Sequence, residues 1–171
     1  MKAFHNDPQI KAKYLARVKA HAQADEIIHG KYWQDGKGCA VGCTVHSSTH
    51  SDYETKLGIP QAIARLEDVI FEGLENSEAK RFPAQFLRAI PVGADLSRVT
   101  ALFLLALQKR NYARLKKQKT ASREVLESIK KVIKVLLDWS KDKLDESAES
   151  AALSAAWKQQ ANDLLKLLAA A

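Results

Sequence analysis

The residues best equipped for chemistry lie between Cys39 and His50, in the run C-A-V-G-C-T-V-H-S-S-T-H. The run holds both cysteines of the chain and two of its five histidines. Intervals of 4, 3 and 4 residues separate Cys39, Cys43, His46 and His50. That spacing predicts one helix with all four side chains on a single face. The stripe continues through Tyr53 and Leu57, so the face is expected to point inward. Thiols and imidazoles at core positions suit a metal, a haem-like group or a thiol-redox centre.

Four ligands on one helix cannot share a tetrahedral ion, because the stripe spans roughly 16 Å. A metal would take neighbours such as His46 and His50, with further ligands from a second helix. The preceding segment supplies them. Its stripe Tyr14, Val18, His21, Asp25, Ile28 runs to Gly30. An antiparallel hairpin about the loop 31–38 would bring His21 and Asp25 toward His46 and His50, and His29 toward Cys39 and Cys43. The expected metal set is therefore His21, Asp25, Cys43, His46 and His50, holding zinc, iron or haem. Glu67, beside Asp68 on a third helix, is a further ligand candidate that also reads as a solvated carboxylate.

Cys39 has a second reading. It follows G-K-G at an expected helix start, where backbone donors lower a thiol pKa. His29 would then serve as its base and Cys43 as the resolving thiol, with Gly42 loosening the first turn. The arrangement is superficially similar to the helical AhpD-like peroxidases, which pair C-x-x-C with a following His. The spacing here is C-x3-C-x2-H, and no role is carried over from that resemblance. Gly36, Gly38 and Gly42 before a helix also suit a phosphate, although the Lys-Ser/Thr pair and preceding strand of a P-loop are missing. With no His after His50, a distant papain-type base is excluded.

The elements that must position these residues read as helices throughout: an all-α single domain, 1–171, of about six helices. Asn6 or Asp7 caps a first helix at Pro8. The Cys/His helix closes at Gly58 before Pro60. A third helix carries Ile63, Leu66, Ile70 and Leu74, and a short one spans 83–90. A long helix capped by Ser97 buries Val99, Leu102, Phe103, Ala106 and Leu107. Another from Ser122 carries Val125, Ile129, Val132, Leu136 and Trp139. The last, from Ser147 to Leu168, carries Leu153, Trp157 and Leu164. Residues 1–74 form the site-bearing part. Residues 95–171, without His or Cys, read as scaffold, with the C-terminal helices a route to homo-oligomers.

Composition sets the remaining limits. With 46% hydrophobic and 27% charged residues, the 171-residue chain is ordinary for a globular protein. No run of 18 apolar residues points to a membrane span. The N-terminus lacks a signal peptide's apolar centre, so a cytoplasmic location is expected. The net charge is +7. Lys109, Arg110, Arg114, Lys116, Lys117 and Lys119 cluster with Tyr112 among them, a pattern that fits either nucleic-acid or acidic-partner binding or a solvated helix C-terminus. The expectations are thus a metal- or haem-binding helical protein of unassigned reaction, a thiol-redox protein using Cys39 and Cys43, or an interaction protein using 109–119.

Overall fold

The computed structural model describes residues 1–141, which are mostly helical. Eight α-helices and one two-stranded ribbon are present among the described residues. The chain divides into two compact units, Met1–Ser97 and Arg98–Ala171. The expected helix from Ser147 to Leu168 and its self-association lie outside the described residues.

In the first unit, a 3-10 turn (Ala3–Asn6) precedes α1 (Pro8–Gln23). Asp7 caps α1 by accepting from Gln9 N at 2.7 Å, and Pro8 occupies the first turn, where its missing N–H costs nothing. The helix ends earlier than the stripe to Ile28 implies. Asp25 adopts a left-handed backbone (φ 58) and turns the chain out.

The next surprise is a hairpin. β1 (Trp33–Gln34) pairs antiparallel with β2 (Lys37–Gly38) in the register Trp33↔Gly38 and Gln34↔Lys37. The two linking residues, Asp35 and Gly36, both have positive φ (52 and 79). An Asp-Gly pair at two left-handed positions is the signature of a tight hairpin turn. The segment read as a plain loop is thus a small two-stranded ribbon.

The expected helix from Cys39 to Leu57 is two helices, α2 (Ala40–Val45) and α3 (Asp52–Leu57). His46 breaks the run by taking a left-handed conformation (φ 54, ψ 50). Ser47, Ser48 and Thr49 then favour local bonds over helix, and Thr49 N donates to Ser47 Oγ at 3.1 Å. Gly58 closes α3 at φ 63, where an added Cβ would sit 2.3 Å from Lys2 O. After Pro60 come α4 (Gln61–Glu72), the short α5 (Asn76–Ala79) and α6 (Phe82–Ala89).

The core of this unit gathers Val18, Val41, Val45, Tyr53, Leu57, Ile59, Phe71 and Leu87, all buried. Each such side chain contributes about 1.5–3 kcal/mol through burial. α4 turns Ile63, Ala64, Glu67, Asp68 and Phe71 inward, leaving Val69 66% exposed. Two acids therefore occupy positions that a purely apolar stripe would assign elsewhere.

The second unit is described through α7 (Val99–Gln118) and α8 (Arg123–Trp139). Ser122 caps α8 through Val125 N, and Ile129, Leu136 and Trp139 are buried, matching the sequence stripe. α7 faces differently from expectation. It buries Thr100, Ala101, Leu105 and Gln108, while Val99 and Leu102 are exposed. The cationic residues from Lys109 to Lys119 are all exposed, over the second half of α7 and at its C-cap Lys119. No helix among the described residues is long and apolar enough to cross a membrane.

Candidate functional site

His21 lies in the last turn of α1, on the stripe that buries Tyr14 and Val18. His46 lies at the C-cap of α2. The two rings meet with Nε2 facing Nε2 at 2.8 Å. Behind His21, Nδ1 donates to Glu26 Oε2 at 2.5 Å. Trp33 completes the group from β1. Its ring stacks on His46 with centroids 4.4 Å apart and planes 9° from parallel, and meets His21 edge-on at 5.5 Å. The ribbon thus supplies the flat wall against which His46 rests.

Two glycines hold that wall in place. A Cβ on Gly42 would lie 1.5 Å from Tyr32 O, and one on Gly38 would lie 2.1 Å from it. Only hydrogen at both positions lets α2 and the Tyr32–Trp33 backbone approach this closely. Cys39 N donates to Lys31 O at 2.6 Å across the same seam. The phosphate-cradle reading of Gly38 and Gly42 thus has a packing reason in its place.

Cations frame His46. Arg17 Nη1 donates to Thr44 O at 3.0 Å, and Lys56 Nζ donates to Val45 O at 3.2 Å. Burial, then Arg17, His21 and Lys56, hold the His46 imidazole below its usual range. His46 is therefore neutral at pH 7. With His21 Nδ1–H committed to Glu26 and His46 neutral, one proton lies between the two Nε2 atoms. His46 Nδ1 has no partner among the described residues.

A second polar cluster sits in the core. His50 Nε2 donates to Asp68 Oδ2 at 3.2 Å, and the Tyr32 ring meets His50 edge-on at 5.4 Å. The Cys39 thiol leans on the Asp68 carboxylate. Tyr53 Oη donates to Glu67 Oε2 at 2.7 Å, both residues fully buried. Glu67 Oε1 and Asp68 Oδ1 are buried without a full hydrogen bond. Burial, with Asp68 alongside, pushes the Glu67 carboxyl up to about 8 against the opposing Tyr53 bond. The solvated-carboxylate reading of Glu67 is thereby overturned: this acid is buried inside the core.

Of the residues expected to share a metal, the structure brings together His21 and His46. Asp25 is exposed and pairs with Lys80, which holds its carboxyl below the usual range. Cys43 is buried, its thiol directed to Gly38 O at 3.3 Å and Glu26 O at 3.6 Å. His50 belongs to the Asp68 cluster. His29, expected beside the cysteines, bonds Phe71 O at 3.1 Å and packs on that ring. Among the described residues no group of three or more His, Cys, Asp or Glu side chains is placed to hold a metal.

Cys39 and Cys43 are free and buried. Burial pushes Cys43 up to about 12 and raises Cys39 further, with Asp68 adding to the effect on Cys39. Both are thiols, not thiolates, at pH 7. Sequence reasoning missed Glu26, Trp33 and Arg17. Glu26 is five residues from His21, a spacing no helix pairs, and it arrives because Asp25 turns the chain. The Asp35-Gly36 dipeptide was the available signal for a ribbon that aims Trp33.

No known protein family, characterised protein or solved structure matches this chain.

Proposed function

We propose that the first unit is an acid–base site in which Glu26, His21 and His46 act in series. The reading rests on one observation: Glu26 Oε2, His21 Nδ1, His21 Nε2 and His46 Nε2 form a continuous hydrogen-bonded line at 2.5 and 2.8 Å. His46 is the catalytic base and the other two are positioning residues. In the resting state His21 holds its proton on Nδ1 and accepts at Nε2 from His46 Nε2–H. His46 Nδ1 then carries a lone pair at the exposed end of the line. A substrate proton received at Nδ1 makes His46 an imidazolium. Its Nε2 proton passes to His21 Nε2, and His21 becomes the cation facing the Glu26 carboxylate. The substrate loses one proton and His21 gains one; reversal returns it. The logic is that of a base oriented by a third group.

Diethyl pyrocarbonate tests this without a substrate, because it acylates unprotonated imidazole. His46 is expected to react faster than free N-acetylhistidine at pH 7, and Glu26→Gln to slow it about tenfold. A His46 rate at or below the free value and indifferent to Glu26→Gln would contradict the reading.

A second reading retains a metal, favoured by the two facing Nε2 atoms with a carboxylate behind one of them. Imidazoles that ligate metals are commonly backed in this way. A tetrahedral ion at about 2.0–2.1 Å from each nitrogen would need the pair to open to roughly 3.3 Å. Zinc or iron would fill its other positions with solvent or substrate, since Asp25, Cys43 and His50 lie elsewhere. Cobalt(II) is the probe. Visible absorption bands that vanish in His21→Asn and His46→Asn would support a metal, and their absence would leave the proton relay alone.

A further inference from the structure

The first unit is balanced by formal count, with twelve basic and twelve acidic residues between positions 1 and 97. The whole net charge of +7 therefore belongs to residues 98–171. Against that balanced count, one groove between α1 and α6 gathers four cations and is lined by no acid. Lys19 and Gln23 come from α1, one turn apart. Arg81, Gln85 and Arg88 come from α6 and its N-cap, at intervals of four and three that put them on one face. Lys80 completes the lining.

The helices run antiparallel, as the contacts at each end require. Lys11 Nζ donates to Arg88 O and Ile90 O, and Asp25 pairs with Lys80. Among the described residues no carboxylate pairs with Lys19, Arg81 or Arg88. Like charges around one hollow repel one another less when something anionic sits among them. The hollow of about 340 Å3 is the size of a small-molecule site. Arg81 and Arg88 carry forked guanidinium donors of the kind that match phosphate oxygens, and Gln23 and Gln85 carry amide donors.

We propose that this groove binds a small molecule bearing a phosphate or diphosphate group. A small ligand fits better than a nucleic-acid backbone, because these four cations line one hollow and the unit's basic and acidic residues are equal in number. Nucleic-acid binders instead spread positive charge along a face. The site is separate from the Glu26–His21–His46 line and does not depend on it.

Calorimetric titration of the full-length protein with inorganic pyrophosphate tests the proposal. Saturable binding that weakens as NaCl is raised is expected. Arg81→Gln with Arg88→Gln is expected to weaken it about tenfold or more, the loss of charge-assisted bonds. Lys116→Gln with Lys117→Gln, on α7, is expected to leave it unchanged. Should the double arginine variant fold poorly by circular dichroism, the exposed Lys19→Gln carries the same expectation of weakening. No binding, or equal losses in the groove and α7 variants, would overturn the proposal. So would an RNA oligonucleotide that binds through Arg81 and Arg88 and is not displaced by pyrophosphate.

Discussion

His21 Nε2 and His46 Nε2 face each other at 2.8 Å, although neither ring is brought there by helical spacing alone. His21 rides the end of α1. His46 is swung across by a left-handed backbone, a conformation uncommon outside glycine that His adopts more readily than most side chains. That turn of the backbone is the reason the two imidazoles meet.

That left-handed backbone makes His46 a residue whose removal barely affects folding. His46→Gly relieves about 1 kcal/mol of left-handed backbone cost and forfeits a similar amount of stacking on Trp33. The expected net change in denaturant-measured stability is under about 1 kcal/mol, while site reactivity is lost. A large destabilisation would show that His46 serves packing and not chemistry.

Gly42 carries the opposite expectation. Its added Cβ would collide with backbone, Tyr32 O at 1.5 Å, which no rotamer change relieves. Gly42→Ala is expected to cost about 3 kcal/mol or more in urea unfolding and to displace Trp33 from His46. Near-normal stability with unchanged tryptophan fluorescence would mean that the ribbon and α2 are not locked together.

Glu67 gives the unit a pH dependence of known sign. Its carboxyl is raised from 4.5 to about 8 by burial, so the folded state holds the proton after the unfolded chain has released it. The stabilising contribution is complete below the unfolded value and falls as pH rises, until the folded group itself ionises near 8. Stability is expected to decline by about 1 kcal/mol per pH unit between pH 5 and 8. Glu67→Gln should flatten that decline. A parent profile already flat across the window would mean that Glu67 is ionised in the core.

The two thiols are expected to be silent. Cys39 and Cys43 are 1% and 0% exposed, and burial holds both protonated. Ellman's reagent at pH 7 should label neither in the folded protein and both in guanidinium chloride. Rapid labelling of either in the native state would reopen the thiol-redox reading.

The helical class, the Asp7 and Ser122 caps, the Gly58 stop and the inward face of α8 were all legible, because each follows from short-range spacing and cap chemistry. So were His21 and His46, from their places on two inward stripes. What failed were inferences that extended one period too far. The Cys39–His50 stripe assumed an unbroken helix, and the break at His46 sent His46 and His50 to different clusters. The α1 stripe ran through Asp25, whose positive φ ends it and delivers Glu26 instead. Glu67 sits at a core position of α4 that only tertiary packing, through the Tyr53 hydroxyl, makes tolerable for an acid.

Nitrogen-15 spectra of the histidine rings against pH report on the proton proposed to be shared between the two imidazoles, with Glu26 behind them. His21 is expected to carry its proton on Nδ1, and His46 to titrate below the usual imidazole range. The Nε2 signals of both rings should move together, and Glu26→Gln should release the His21 tautomer. A His21 ring protonated at Nε2 with a bare Nδ1, or two rings that titrate independently, would contradict the proposed sharing.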